Sequence, residues 1–538
     1  MTKKHVVIFG GGLSALSAGI HVLQEGGAVK YDVTLLCMEH RLGGKAASWR
    51  LPDGRVMEVG FHAVFGYYRA IQKLLARAGH PVTDDRWFTD NGGVHLMYEA
   101  GPRAVNRLDI PSGPLDVGAL LHNGFIGYEG MTLHEKLQAA AWMARVGAEL
   151  LLTDIPPDID EHSFTSWCVG KGLAVELTRK SWFRYVLDLA FNYPNTGSAY
   201  VGMVGFQRLM GPENSLVYYL NGGLSDVIVA PIAELFHDLG GKVRFCTKVT
   251  RVELDPATKR VTTFATRPMA TPSPLAAGVW DHVEVTPLGG SYSLAESPYP
   301  VGDPAAAAGA AETAWAHGAD FDEVVWTLPI DSTRALLRST PGFRESVLEE
   351  PQLRRIWGLR TVASTSLRMW LPDKAMPAGY STVVMGTPQP AATLIDYANR
   401  ITSLANGPWG SVIELEGQEG RHGELTDDEI VRESLVTFRS LPFVTGAAID
   451  VDAIMAQAGN RRLEFRRNTA HHMRYVLMEA GHWRHRPEQD RSPYDNLLFA
   501  GDWVSGTQPT ASMEAAVRTG RVAADMLRDR AGLPAAVE

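Results

Sequence analysis

Residues 5–9 (HVVIF) form a short, β-branched apolar run that stops at Gly10-Gly11-Gly12. Residues 13–24 have helical composition, and 31–37 (YDVTLLC) make a second buried run. Strand, glycine turn, helix and strand in that order predict a βαβ unit at the start of a parallel sheet. Between about 100 and 220 the pattern turns helical. Thr132 and Glu135 have capping-box spacing at the mouth of a helix over 133–152. A second helical run covers 174–190 and stops at Asn192-Tyr193-Pro194-Asn195. Residues 225–239 read as a helix ended by Gly240-Gly241, with a strand over 242–254 and another over 323–329 (EVVWTLP). From 360 to 490 strands and helices mix. The chain closes with a strand (497–500), the triplet Gly501-Asp502-Trp503, and a helix running to Met526.

One stretch breaks this regularity. Residues 266–320 are rich in Ala, Pro, Gly and Ser, with 305–311 close to poly-alanine. Such composition buries little apolar area, so it reads as an exposed insertion with one hairpin over 279–285. At 538 residues the chain is too long for one simple core. A net charge of −9 gives no footprint for nucleic acid. Cys37, Cys168 and Cys246 are far apart, which argues against a disulfide framework and fits a reducing compartment. The chain enters its first strand after four residues, without a signal peptide, and has no apolar run of membrane-spanning length. The expectation is a cytoplasmic protein, with peripheral membrane contact left open.

Gly10-Gly11-Gly12-Leu13-Ser14-Ala15 fits G-x-G-x-x-G/A. Gly10 makes the tight turn, Gly12 lets the backbone approach a pyrophosphate, and Ala15 lets the helix pack on the strand. The first helical N–H groups, Ser14 among them, then face the phosphates. The bland alternative is a tight turn in an unrelated α/β protein. In dinucleotide folds the second strand ends in an acidic residue that holds ribose hydroxyls. Here Cys37 stands at the strand end; Glu39, two positions on, either takes that role or is a solvated loop residue. Arg41-Leu42-Gly43-Gly44-Lys45 follows. Its paired glycines permit a second close backbone approach, and Arg41 and Lys45 bracket it with positive charge. Near the C-terminus, Gly501 and Asp502 lie at a strand end, where Asp502 suits a ribityl or ribose hydroxyl. The helix starting near Met513 directs its positive end to whatever lies there, unless it merely closes the core.

With these residues in view, the chain resembles the FAD-dependent amine oxidase superfamily, and within it the plant- and cyanobacterial-type phytoene and ζ-carotene desaturases. The similarity is carried by GGKAASWRLPDGRVMEVGFHAVFGYY (43–68), SFTSWCVGKG (163–172), LAFNYPN (189–195), the 218–254 segment, and RPEQDRSPYDNLLFAGDW with SMEAAVRTG at the C-terminal end. It implies an α/β fold: a Rossmann-type FAD-binding domain (1–100, 221–340 and 490–530) and a discontinuous α+β substrate domain (101–220 and 341–489). It implies FAD contacts at Gly12, Ser14, Glu39, Arg41, Gly44, Lys45, Gly60, Phe61, His62, Val249, Asp502 and Met513. Two departures stand out: Cys37 replaces the family's ribose-binding Glu, and Asn221-Gly222-Gly223-Leu224-Ser225 replaces an acidic, proline-rich stretch on the substrate side.

The implied activity is dehydrogenation of an apolar, isoprenoid-like substrate. A hydride passes to flavin N5, a proton leaves to a base or to water, and O2 or a quinone reoxidises the flavin. His62 is the candidate base, or else a structural histidine beside the isoalloxazine. Tyr68 is a second catalytic candidate, with Tyr67, Arg184 and Tyr185 as pocket walls. Amine or amino-acid oxidation is an alternative, with Trp503 and Tyr67 supplying part of an aromatic cage. Redox-neutral isomerisation or dehydroxylation, and a flavin-binding scaffold without turnover, complete the set. His471, His472, His482 and His485 have no carboxylate cluster and read as solvated or phosphate-facing groups, so no metal is expected. The 133–152 helix reads as a core or interface helix in preference to a membrane-docking one, because its polar face is not basic.

Overall fold

The computed structural model of the chain describes residues 2–537 except 40, 51–55, 59, 61, 91–93, 99–104, 110–117, 119–130, 153, 181–195, 210–216, 270–310, 378–381, 386–392, 400–407, 419–423, 446–448, 457–462, 469 and 507–509. The opening βαβ unit forms as its pattern predicts. Lys4–Phe9 pairs in parallel with Tyr31–Leu36, and the Leu13–Leu23 helix between them is buried along its whole length. The five-stranded parallel sheet has the order Lys242–Arg244, Tyr31–Leu36, Lys4–Phe9, Glu323–Trp326, Leu497–Phe499. The connection reverses direction at Lys4–Phe9, and the crevice outside the carboxyl ends of strands at such a switch point is where α/β sheets bind ligands. The Met513–Arg530 helix packs along Leu13–Leu23 so closely that a Cβ at Gly520 would lie 2.4 Å from the Ser14 carbonyl oxygen. The two ends of the chain thus share one core.

The second layer is a seven-stranded sheet. Its order is Leu463–Arg467, Ser364–Leu371, Ser411–Gln418, Thr393–Asp396, Thr382–Met385, Val94–Tyr98, Val105–Asp109. Val94–Tyr98, expected with the dinucleotide fold, pairs in parallel with Thr382–Met385 and so belongs to this sheet. The Asp427–Ser440 helix covers one face, opened by a capping box of Thr426 and Glu429. A smaller antiparallel sheet has the order Ala63–Phe65, Val217–Leu220, Phe88–Asp90.

Three expectations are corrected. The strand expected over 242–254 is two strands: Lys242–Arg244 completes the parallel sheet, while Thr247–Asp255 turns away to pair antiparallel with Arg260–Pro268. The break lies at Cys246, whose φ of 50 is left-handed. The helix expected over 174–190 begins as a 3-10 turn, Val175–Arg179; 181–195, with Arg184 and Tyr185, lies outside the described residues. The borders of the 266–320 stretch are ordered strand, since Thr313–Ala316 pairs with Arg260–Pro268. The hairpin expected over 279–285 lies outside the described residues. The Leu133–Leu152 helix spans the expected length, with Thr132 and Glu135 exchanging capping bonds. It buries Ala139, Trp142 and Val146 and leaves Leu133 and Leu137 exposed.

Candidate active site

Gly10 has φ +124, a conformation that side-chain-bearing residues rarely adopt, and a Cβ there would meet Thr327 Oγ1 at 2.5 Å. The turn it makes brings Gly12 beside the second glycine pair: Gly43 N donates to the Gly11 carbonyl at 2.8 Å, and a Cβ at Gly44 would come within 3.4 Å of Gly12 Cα. Two glycine segments distant in sequence therefore build one bare backbone floor. Ser14, in the first turn of the Leu13–Leu23 helix, has a buried hydroxyl oxygen with no hydrogen-bond partner among the described residues. That helix has neither a side-chain cap nor an acidic residue in its first turn. Unsatisfied N–H groups and an orphaned hydroxyl at a helix N-terminus fit a phosphate.

From the other end of the chain, Asp502 reaches Lys45, with Nζ to Oδ2 at 2.5 Å. Ser512 caps the Met513–Arg530 helix by accepting from Ala515 N. Glu514, fully buried, accepts from the N–H groups of Ala70 and Ile71 at 3.0 Å each, and so fixes the turn that carries Tyr68. Arg486 is buried too, and donates to the Asp502 carbonyl at 2.9 Å.

These segments enclose a cavity of 930 Å³, large for a small-molecule site. Gly10, Gly12, Ser14, Glu39, Arg41, Gly43, Gly44, Lys45, Gly60, His62, Tyr68, Val249, Gly501, Asp502 and Met513 all line it. Ala15 does not; it is buried behind the turn, against the core. Phe61 lies outside the described residues. Beside Gly60 and His62 the wall is Phe65, Tyr68, Val217, Tyr219, Glu416 and Tyr475. His62 Nδ1–H donates to the Gly60 carbonyl at 2.7 Å, which leaves Nε2 as the acceptor of the neutral ring. Burial pushes its pKa down, and burial holds the Tyr68 and Tyr475 phenols protonated.

The cage expected from Trp503 and Tyr67 is not built. Trp503 is wholly buried among Phe499 and Trp326, with Nε1 donating to the Leu328 carbonyl at 2.9 Å. Tyr67 stacks on Phe65 instead.

Behind the wall lies a charge cluster that sequence reasoning missed. Arg368 is paired with Glu414 and lies 3.5 Å from Glu58, while the Tyr397 and Ser366 hydroxyls donate to Glu414 at 2.7 and 2.6 Å. Burial would raise the Glu414 pKa, but Arg368 and these hydroxyls hold it down. Glu58 is the outlying carboxylate of the pair, and burial pushes it up to about 7. A signal was present: Glu414 and Glu416 sit two apart among Val412, Ile413 and Leu415 and so share one face of the strand. Nothing local pointed to their partner. Among the described residues no group of His, Cys, Asp and Glu is placed to hold a metal.

A parallel sheet with a glycine-floored crevice, closed by a helix from the far end of the chain, defines a dinucleotide-binding oxidoreductase. The family model for flavin-containing amine oxidoreductases matches residues 13–286 and 307–527, and the chain belongs to that family. Its cofactor is FAD, and the donor set just described fits an FAD pyrophosphate. A 15-cis-phytoene desaturase of an Oncidium hybrid cultivar is 26% identical over 257 residues, 46% of this chain and 42% of that protein. That of Synechococcus elongatus is 25% identical over 244 residues, 44% of this chain and 48% of that protein. The chain thus spans less than half the length of the curated relatives it matches. A putrescine oxidase solved with putrescine superposes with a TM-score of 0.61 over 98% of this chain and 99% of its own, at 13% identity. That likeness shows the fold.

Proposed function

We propose that the protein dehydrogenates a largely apolar, isoprenoid-type molecule with FAD lying along the cavity and O2 or a quinone as final electron acceptor. FAD supplies the two-electron acceptor for a substrate C–H bond. The chain binds, orients and handles the proton. Helical N–H groups and Ser14 hold the pyrophosphate, with Gly10, Gly12, Gly43 and Gly44 allowing its approach and Lys45 balancing its charge. Glu39 and Val249 serve the adenosine end, while Gly60, Gly501, Asp502 and Met513 serve the flavin end. His62 takes the departing proton at Nε2, because burial keeps the ring neutral and Nδ1 is already engaged. The phenol of Tyr68, held protonated, shapes the wall beside it.

The observation that carries this reading is the Lys45–Asp502 contact, which closes two sequence-distant motifs over one cavity. The desaturase relatives support the substrate type. For such a substrate the Leu133–Leu152 helix offers a lipid-facing edge, since Leu133 is 74% exposed and Leu137, one turn on, 61%. No helix among the described residues is long and apolar enough to cross a membrane. Amine oxidation is favoured by one feature: Glu416 faces the cavity beside Gly60, where an ammonium would meet its counter-charge.

The test is purification with the visible spectrum, then anaerobic mixing with a C40 polyene in liposomes and, separately, with putrescine and benzylamine. The polyene is expected to bleach the flavin band and the amines to leave it. Bleaching by amines alone moves the reading to amine oxidation. A colourless protein that refuses added FAD ends it.

A further inference from the structure

In dinucleotide folds the acidic residue for the ribose hydroxyls sits at the end of the second strand, and this chain has Cys37 there. Its thiol is spent elsewhere. Sγ donates to the Arg41 carbonyl at 3.2 Å, and burial pushes its pKa up to about 12, so it stays a neutral thiol and a weak acceptor. The nearest carboxylate is Glu39, which also lines the cavity. Each of its oxygens has a different neighbour: Arg41 Nε lies 3.4 Å from Oε2, and His472 Nε2 lies 3.3 Å from Oε1. Arg41 comes from the same loop. His472 does not: it follows the Leu463–Arg467 strand of the seven-stranded sheet.

We propose that His472 is a positioning residue for the adenosine end of the cofactor, a clamp from the turn beyond that strand that aims Glu39 at the ribose hydroxyls in place of the missing strand-end acid. A loop glutamate three residues past its strand has rotamer freedom that a strand-end acid lacks, and ordering it costs entropy on binding. Flanking it on both sides removes that cost beforehand. A carboxylate accepts at about four sites, so two flanking groups do not exhaust it. The same segment continues to Tyr475, which lines the cavity near Met513 and donates to the Ala511 carbonyl at 3.2 Å. The short stretch that follows that strand thus lines the cavity from His472 to Tyr475.

This inference rests on the FAD reading above and is tested without turnover. ADP and 2′,3′-dideoxy-ADP are competed against FAD for the apoprotein, followed by quenching of flavin fluorescence. Wild type is expected to prefer ADP by about tenfold, the worth of a hydrogen bond to a charged group. His472→Ala is expected to cut that preference to about twofold, and His472→Gln, which keeps a donor, to retain most of it. A histidine that merely supported the loop would weaken both nucleotides equally and leave the ratio intact. An unchanged ratio in His472→Ala, or no preference in wild type, overturns the clamp while leaving FAD binding in place. Apoprotein that takes no FAD overturns both.

Discussion

On the parallel-sheet side the cavity wall is largely backbone: two glycine pairs, the N-terminus of the Leu13–Leu23 helix and that of the Met513–Arg530 helix. On the seven-stranded side it is side chain: Ser364, Thr393 and Glu416 from three neighbouring strands, with the Arg368–Glu414–Glu58 cluster beneath. On the function proposed above, the difference follows from what each side meets. A pyrophosphate is the same in every such protein, and peptide N–H groups with a helix dipole suffice to hold it. A substrate wall must suit one molecule, and only side chains vary enough to do that. The consequence is energetic as well. The side-chain wall holds Glu58, Glu414, Glu416 and Arg368 away from water, whereas the Lys45–Asp502 pair on the glycine side keeps partial exposure.

Three experiments press on that contrast. The largest effect is expected from Arg368→Leu. Removing the guanidinium strands Glu414 and Glu58 without compensation, for about 3–5 kcal/mol of lost stability in urea titrations. A loss under 1 kcal/mol would mean that the cluster is far better solvated than its burial indicates.

Next is pH. Folding raises Glu58 from 4.5 to about 7, so between those values the folded chain holds more protons than the unfolded one. Stability from this group is therefore present at the acid end and is lost as pH rises through that window. The loss is on the order of 3 kcal/mol. Glu58→Gln should flatten the melting temperature between pH 5 and 8 relative to wild type; parallel profiles would remove Glu58 as the source.

The smallest effect is expected on the backbone side. Ser14 Oγ has no partner to lose among the described residues, so Ser14→Ala should leave apoprotein stability unchanged within about 0.5 kcal/mol. It should weaken FAD about fivefold in a fluorescence titration, since N–H groups carry most of the phosphate. A collapse of FAD binding would mean that a side chain rules that side too.

The contrast also governs what was readable. The βαβ opening, the floor at Gly10–Gly12 and Gly43-Gly44, and the capped C-terminal helix each rest on residues within a few positions of one another. Local chemistry therefore announced them. Trp503 failed that test, because its direction is set by the core it packs into and not by the neighbouring Gly501 and Asp502. The 242–254 run failed for a similar reason: one apolar stretch served two sheets, and only the left-handed turn at Cys246 separates them.

By itself, then, the sequence determined that a parallel sheet forms and that the crevice at its carboxyl ends is glycine-floored, since turn geometry and helix termini depend on short-range sterics. Tertiary structure alone decided that Lys45 meets Asp502, that His472 reaches Glu39, and that Arg368 answers Glu414 and Glu58. Those contacts join residues far apart in the chain, and no short-range preference encodes which distant segment will arrive opposite which.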